Sequence, residues 1–529
     1  MEMILMSKSV KTNYAVLLIM GVLLLSIFTC TPYEAREDAT YFDSNLKPFY
    51  HGVASGDPLS DRVIIWTRVT PKWDRKVSVK WKVSADSSLE DIIKYGVVTT
   101  SGVQDYTVKV DVVGLEPDTR YYYQFMALGA NSIIGKTKTM PVGTVDSLKF
   151  VVLTGTNIEH GYFSGYASVA EQNDLDAVIH TGDYIYEYPP GKYGSSSYDP
   201  IPGREVIPAH ELLKLDDYRL RYSRYRLDKN LRKAHQNHPF IVVWDDHEIA
   251  NDCYVDGAQN HQTETEGDWE SRKKAAMKAY FEWMPIRDES IYRTIECGSL
   301  AKLIMLDERL EGRTKQLKEN NPDFNNCDRT ILGKQQYDWF IDNITQSDKT
   351  WSLMVSQVNF SHWNVQRPHI KKPKIKDKWT GYPCERNKIL QTIIDNNIKN
   401  FVILSGDHHS SFAFEITEGV LDGYKNSNYD DYQPLAVEVV TPSMTSANYD
   451  YLTTVDSAQA IEKMYMNDPK NKHLKYLDLT KHGYLLITVS KPQIRADWYY
   501  VDPLDEKSDK EHLGKTLFVK DKSSRLTVN

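Results

Sequence analysis

The sequence predicts an α/β protein: a layered domain of buried strands and flanking helices, preceded by a small all-β domain. Two patterns carry this reading. From Leu148 onward, short continuous apolar runs alternate with stretches of helical period. Before that, from His51 to about Met140, short strands alternate apolar and polar residues, with turn residues between them and no helix-period stretch. A third pattern, polar clusters directly after four of the buried runs, locates the chemistry.

The 529 residues allow two to four domains at a typical size of about 150 residues. With 41% apolar and 26% charged residues, a disordered chain, a collagen-like chain and a polytopic membrane protein are excluded. The formal charge of −8 gives no electrostatic reason to expect a nucleic-acid partner.

Residues 1–30 read as a signal peptide. Lys8 and Lys11 precede an apolar run at 15–28, which is short for a membrane crossing. The run closes on Cys30, the place where a bacterial lipoprotein is processed and its thiol lipidated. Plain secretory cleavage and an uncleaved anchor are the alternatives, and all three export the chain. The expectation is a periplasmic or cell-surface protein, lipid-anchored to the outer membrane, with a polar tether at 31–43. Cys253, Cys297, Cys327 and Cys384 remain. Export permits disulfides. No pair has Cys-x-x-Cys spacing, so a thiolate zinc site is not expected, and one or two bridges are, with the pairing open.

The all-β domain spans 44–143. Its strands are read at 62–67, 77–83, 106–113 and 121–126, and the turn at 114–120 feeds a Tyr-rich strand. That turn resembles the tyrosine corner of immunoglobulin-like and fibronectin-type modules. With no clustered acids or histidines, the domain reads as structural support or a lid.

The α/β domain spans 148–502. Apolar runs at 150–153, 177–179, 240–244, 303–306 and 401–404 have the composition of strands buried on both faces. Helices are expected at 212–234, 268–283, 334–345 and 385–398. Strands at 436–440, 484–489 and 495–501 complete the sheets. Residues 503–529 read as a charged, mobile tail, apart from Leu517-Phe518-Val519.

Four runs end in polar clusters: Thr154-Gly155-Thr156-Asn157, the segment from His180 to Tyr188 with Asp183 and Tyr186, Asp245-Asp246-His247-Glu248 on to Asn251 and Asp252, and Ser405-Gly406-Asp407-His408-His409. Ligands of open α/β sheets sit beyond the carboxyl ends of strands. Singly, each cluster has a plainer reading. An Asp after Gly is a turn former, Asp-Asp-His-Glu can cap a helix, and paired histidines are often solvated. Their recurrence on successive buried strands points to metal, because carboxylates packed together repel unless a cation neutralises them. Two cations would clamp a phosphoryl group and acidify a water.

The stretches around Asp183 to Tyr188, Trp244 to Glu248 and Ser405 to His409 resemble those of the PhoD-like alkaline phosphatases and phosphodiesterases, within the calcineurin-like metallophosphoesterase superfamily. Further matching stretches are His51-Gly52-Val53-Ala54-Ser55-Gly56-Asp57-Pro58, Glu282-Trp283-Met284-Pro285, Leu306-Asp307-Glu308-Arg309 and Thr441-Pro442-Ser443-Met444. The resemblance covers most of the chain beyond residue 30. It implies a metallophosphoesterase-type β-sandwich flanked by helices, and a site with one Fe3+ and Ca2+ ions. It makes Asp183 the bridging carboxylate and Tyr186 a phenolate on iron. Asp246, Asn251, Asp407 and His409 become further ligands, and His247 the catalytic histidine. Arg287, Arg309 and Arg386 flank matching stretches and could pair with phosphate oxygens, although any one of them singly reads more readily as structural or solvated; Arg309 is the phosphate-binding candidate. The basic run at 371–378 reads as a solvated loop.

One departure concerns the metal. The cysteine that gives the family's iron a thiolate falls on Gly155 here. The function expected is a metal-dependent phosphoesterase acting on phosphate-ester substrates through metal-activated water. A phospholipase-type lipid phosphodiesterase, or a non-catalytic surface lipoprotein that keeps the fold, are the alternatives. Oligomeric state is not legible.

Overall fold

The computed structural model describes residues 36–193, 200–287, 290–365, 375–417, 433–501, 503–508 and 510–528. Among them, a ten-stranded sheet runs in the spatial order Leu526–Thr527, Glu511–Lys520, Gln493–Val501, Gly483–Ser490, Ser147–Leu153, Ala177–His180, Pro239–Val242, Val53–Gly56, Arg62–Arg68, Thr107–Val113. A seven-stranded sheet runs Arg293–Cys297, Ala301–Met305, Trp351–Ser356, Phe401–Ser405, Pro434–Val440, Ser411–Thr417, Leu474–Asp478. The central strands of both sheets pair in parallel, as the continuous apolar runs require.

Alternate residues explain why these runs are apolar throughout. Leu303, Met305, Leu353, Val355, Val402 and Leu404 fill the core shared with Val151, Val178 and Leu485 of the large sheet. Their neighbours Ile304, Met354, Phe401 and Ile403 face the other way, onto Phe340, Ile344, Ile389 and Ile393 of the helices Gly333–Thr345 and Pro383–Asp395. Each such side chain contributes about 2 kcal/mol on burial. The seven-stranded sheet thus shares one core with the large sheet and carries these two helices on its other face.

The helix expected at 212–234 is two, Leu215–Arg226 and Lys229–Asn237. Asp228 breaks it: one carboxylate oxygen accepts the N–H groups of Asn230 and Leu231 and starts a new helix. The other three helices lie at Trp269–Trp283, Gly333–Thr345 and Pro383–Asp395, the last ending three residues before the expected 398.

Three expectations are corrected. First, the strands of the all-β segment 44–143 are not confined to sheets of their own. Val53–Gly56 pairs in parallel with Pro239–Val242, so Val53–Gly56, Arg62–Arg68 and Thr107–Val113 continue the large sheet. Those three strands bury their other face against a five-stranded sheet (Val77–Ser84, Ile92–Thr100, Arg120–Ala127, Ala130–Asn131, Gly135–Lys138) through Val53, Ile65, Val79, Val83, Tyr123 and Phe125. At its corner the Tyr121 hydroxyl accepts the Glu116 N–H at 2.9 Å. Second, the tether expected at 31–43 is packed from residue 36 on. Asp38 is fully buried and accepts the Ser223 hydroxyl. Third, the tail is sheet: Glu511–Lys520 pairs antiparallel with Gln493–Val501.

Cys327 and Cys384 form a disulfide, whereas Cys253 and Cys297 are buried free thiols. Among the described residues no helix is long and apolar enough to cross a membrane. Cys30 lies outside the described residues.

Candidate metal centre

The parallel strands of both sheets deliver their carboxyl ends to one rim. Thr154 bridges to Ser443 across the sheets, the Thr441 hydroxyl donates to the Val152 carbonyl at 2.9 Å, and Thr445 N–H donates to the Gly155 carbonyl at 3.1 Å. All four polar clusters meet at this rim: Thr156 N–H donates to the Asp183 carbonyl at 2.8 Å, Asp183 N–H donates to the Glu248 carboxylate at 3.0 Å, and His409 Nε2 lies 3.1 Å from Asp183 Oδ2. The backbone turns sharply there: Asp183, Asp252, Asp407 and His409 have φ of 57°, 51°, 61° and 62°, a region costly for residues other than glycine and concentrated at functional sites.

Asp183 is the hub. Its Oδ2 lies 3.1 Å from both the Tyr186 hydroxyl and His409 Nε2, and the same hydroxyl is 3.1 Å from that nitrogen. Its Oδ1 is buried with no hydrogen-bond partner. His409 Nδ1 faces the Ala447 carbonyl at 3.0 Å, which fixes the proton there and leaves Nε2 as the basic nitrogen. Ligand-capable atoms of Asp183, Asp246 and His247 lie within 4.8 Å of one another, as do those of Asp246, Asp252 and Asp377.

Asp252 and Asp377 were not expected as ligands, and Asn251 was. The structure turns Asn251 outward: its amide donates to Gln259 at 3.0 Å while its N–H donates to Glu187. The next residue, Asp252, points its carboxylate into the cluster. Its place in the same acidic run was the available signal. Asp377 comes from a loop far along the chain, and its neighbour Lys376 belongs to the basic run, which masked it.

Arg309 also differs from expectation. It is fully buried, and its nitrogens are spent on carboxylates: Nε on Asp245, Nη1 on Asp377 at 2.7 Å, and Nη2 on Asp407 at 3.3 Å and Asp246 at 3.6 Å. The guanidinium thus serves as a counter-charge among the carboxylates of the cluster. Arg313 supports it by pairing with Asp377 at 2.7 Å. Arg287 pairs with Asp111 at 3.0 Å and Arg386 donates to the Phe360 carbonyl at 2.7 Å, both structural contacts.

Two further carboxylates hold the loops. Glu248 accepts the N–H groups of Asp183, Tyr184 and Asp245 at 3.0, 2.6 and 2.8 Å, tying two strand ends together. Glu187 accepts His247 Nδ1 at 2.7 Å and the Asn251 N–H at 2.8 Å.

The charges show an unmet demand for cations. Burial, then Asp377 and Asp246, push Asp252 up to about 8; burial lifts Asp407 to about 6 despite Arg309. Burial raises Glu248 to about 8, and Asp245 also rises by burial. Asp246 goes the other way, to about 2, because Arg309 and His247 outweigh its burial. Burial disfavours the His247 cation, yet Asp246, Glu187 and Asp183 hold it well above the ordinary histidine range. Crowded carboxylates and the orphaned Asp183 oxygen fit hard cations with oxygen ligands.

Gly155 has φ +60°, and a Cβ there would lie 2.8 Å from His409 Cδ2 and 2.8 Å from Ser443 Cβ. No side chain fits that position as the loop stands, so the thiolate the resemblance supplies has no counterpart. Cys253 is buried, and burial pushes its thiol well up.

The sequence model of the PhoD-like phosphatase family matches residues 150–498, and that of its N-terminal domain residues 35–141. The chain is 33% identical over 472 residues to alkaline phosphatase D of Bacillus subtilis (strain 168), covering 85% of this chain and 77% of that one. The solved structure of PhoD superposes with a TM-score of 0.81 at 30% identity, over 92% of each chain. With its strand-end carboxylates meeting as described, this chain belongs to the PhoD-like phosphatase family and is a phosphoric ester hydrolase.

Proposed function

We propose that the chain is an exported, metal-dependent phosphoesterase working at the cluster around Asp183. The observation that carries this is the buried, unpartnered Oδ1 of Asp183, whose carboxylate belongs to a group of ligand atoms with Asp246 and His247 that shares Asp246 with a second group, Asp246, Asp252 and Asp377. Asp183, Tyr186 and His409 would hold one cation. Asp246, Asp252 and Asp377 would hold another, with Asp407 beside them. Hard oxygen donors suit Ca2+, and a phenol with a carboxylate and an imidazole suits Fe3+ even without the thiolate. When bound, such metals supply a nucleophilic water at neutral pH and charge stabilisation for the phosphoryl oxygens.

The chain's own residues do the rest. Glu187 fixes Nδ1 of His247 and favours its protonated form, so His247 presents Nε2–H as the proton donor to the leaving oxygen. Arg309 keeps four carboxylates from repelling one another apart. Glu248 fixes the Asp183 loop against the Asp245 loop. The apolar run at 15–28 and Cys30 support export with a lipid tether.

Turnover of a chromogenic phosphomonoester and its diester analogue, with and without chelator, tests the reading, together with metal analysis of the purified protein. Chelation should abolish both activities. Asp183→Ala should cut turnover by roughly a thousandfold or more while losing bound metal. Undiminished turnover in that variant would refute the assignment.

A further inference from the structure

A cavity of about 530 Å³ opens beside Asp407 and His409. Tyr188 and Tyr193 line it from one segment, and Tyr449, Tyr451 and Leu452 from another. The Tyr188 and Tyr193 rings are near-parallel, 5.8 Å between centroids and 23° between planes. On the second side, Tyr449 lies near-parallel to His408, 6.3 Å away at 12°. Leu452 leaves 65% of its surface exposed, an apolar group kept in water on a helix next to the cavity.

This arrangement bears on what the phosphorus carries. Asp407 and His409, two of the candidate metal ligands, line the cavity, so the phosphoryl group of a bound ester is held beside them. The ester's organic group then extends between the two tyrosine-bearing segments. Flat aromatic faces reward planar apolar groups by stacking and by removing both surfaces from water. We infer that the cavity is the site for an aromatic ester group, which makes aryl phosphoesters the preferred substrate class. This rests on the phosphoesterase reading above.

Comparing hydrolysis rates of aryl and alkyl esters would mix binding with the intrinsic reactivity of the leaving group. Non-hydrolysable phosphonates avoid this. Phenylphosphonate and methylphosphonate share the phosphoryl end and differ only in what enters the cavity. Their inhibition constants are measured against a chromogenic monoester, in the metal-loaded full-length protein. Phenylphosphonate should inhibit about tenfold more tightly, the upper end of one aromatic stack. Tyr188→Ala and Tyr451→Ala should each weaken phenylphosphonate severalfold and leave methylphosphonate in place, and Tyr451→Phe should restore the preference. Thermal melts confirm that each variant is folded; Tyr451, on a surface helix, is the variant expected to fold if Tyr188→Ala does not. Equal inhibition by the two phosphonates, or a preference that neither alanine variant moves, overturns the inference while monoester turnover still supports the phosphoesterase. Absence of turnover in the wild type overturns both.

Discussion

His247 Nδ1 lies 2.7 Å from a carboxylate oxygen of Glu187, and both side chains are buried. In the proposed mechanism His247 is the proton donor, and this pair favours its protonated form. Burial opposes the imidazolium, but the surrounding Asp246, Glu187 and Asp183 raise its pKa well above the usual value. A proton donor with a raised pKa keeps its proton up to that pKa, and activity falls as pH rises through it. Glu187→Gln removes one raising charge and a charged hydrogen bond worth about 1.5–3 kcal/mol, or roughly one to two pH units. The alkaline limb of the kcat profile should therefore move to lower pH by about that amount, measured with saturating metal. A limb that stays put would show that His247 is not the titrating acid.

Arg309→Met separates two roles for one guanidinium. A residue that clamps substrate phosphate would show a raised KM in a protein of normal stability. A buried counter-charge would show a destabilised fold, because Asp245, Asp246, Asp377 and Asp407 lose their common partner. Removing one side of a buried ionic cluster costs about 3–5 kcal/mol. The melting temperature should drop sharply in chelator and recover in part with excess calcium, since added cations take up the same charge. An unchanged melting temperature in chelator would return Arg309 to the substrate.

Restoring the family's thiolate should fail here. Gly155→Cys places a Cβ at 2.8 Å from both His409 Cδ2 and Ser443 Cβ, at φ +60°. The left-handed backbone alone costs about 1 kcal/mol or more for a residue with a Cβ, and the contacts add to it. His409 must shift, and with it the nitrogen that faces Asp183 at 3.1 Å. The expected result is lower thermal stability together with lower activity, read by melting curves and monoester turnover. A stable variant with more bound iron and undiminished turnover would show that the loop adapts to the thiolate.

What the sequence revealed follows from what local pattern encodes. Parallel strands buried on both faces read as apolar runs, and their abrupt change to Asp and His marked the site rim at Asp183, Asp246 and Asp407. Pairing partners are not local. The strand at Val53–Gly56 reads as part of a small β module, and only the Ser55–Pro239 register reveals that it extends the large sheet. Glu511–Lys520 has a polar outer face near the sheet edge, so its charges resembled coil. Arg309 shows the same limit in the site: its residue type suits phosphate, but it is paired with four carboxylates that lie 63 to 98 residues away in sequence. Asn251 and Asp252 are neighbours, and backbone direction at a φ of 51° decides which one enters the cluster.

The Cys327–Cys384 bridge closes a 57-residue separation and lies beside the loop that carries Asp377. Arg329, two residues from Cys327, donates to the Gly381 carbonyl at 2.6 Å, and Gly381 ends the turn that follows Asp377. The bridge thus pins the segment that positions Asp377 against Arg309 and Arg313. Loop-closure entropy for a ring of this size corresponds to about 4 kcal/mol of stabilisation in the chain-entropy model. Cys327→Ser should lower the melting temperature by several degrees and, through Asp377, weaken metal affinity more than it changes kcat at saturating metal. Titrating activity against calcium in the oxidised protein and the variant checks both parts. Equal metal affinity in the two would confine the bridge to stability and detach it from the Asp377 loop.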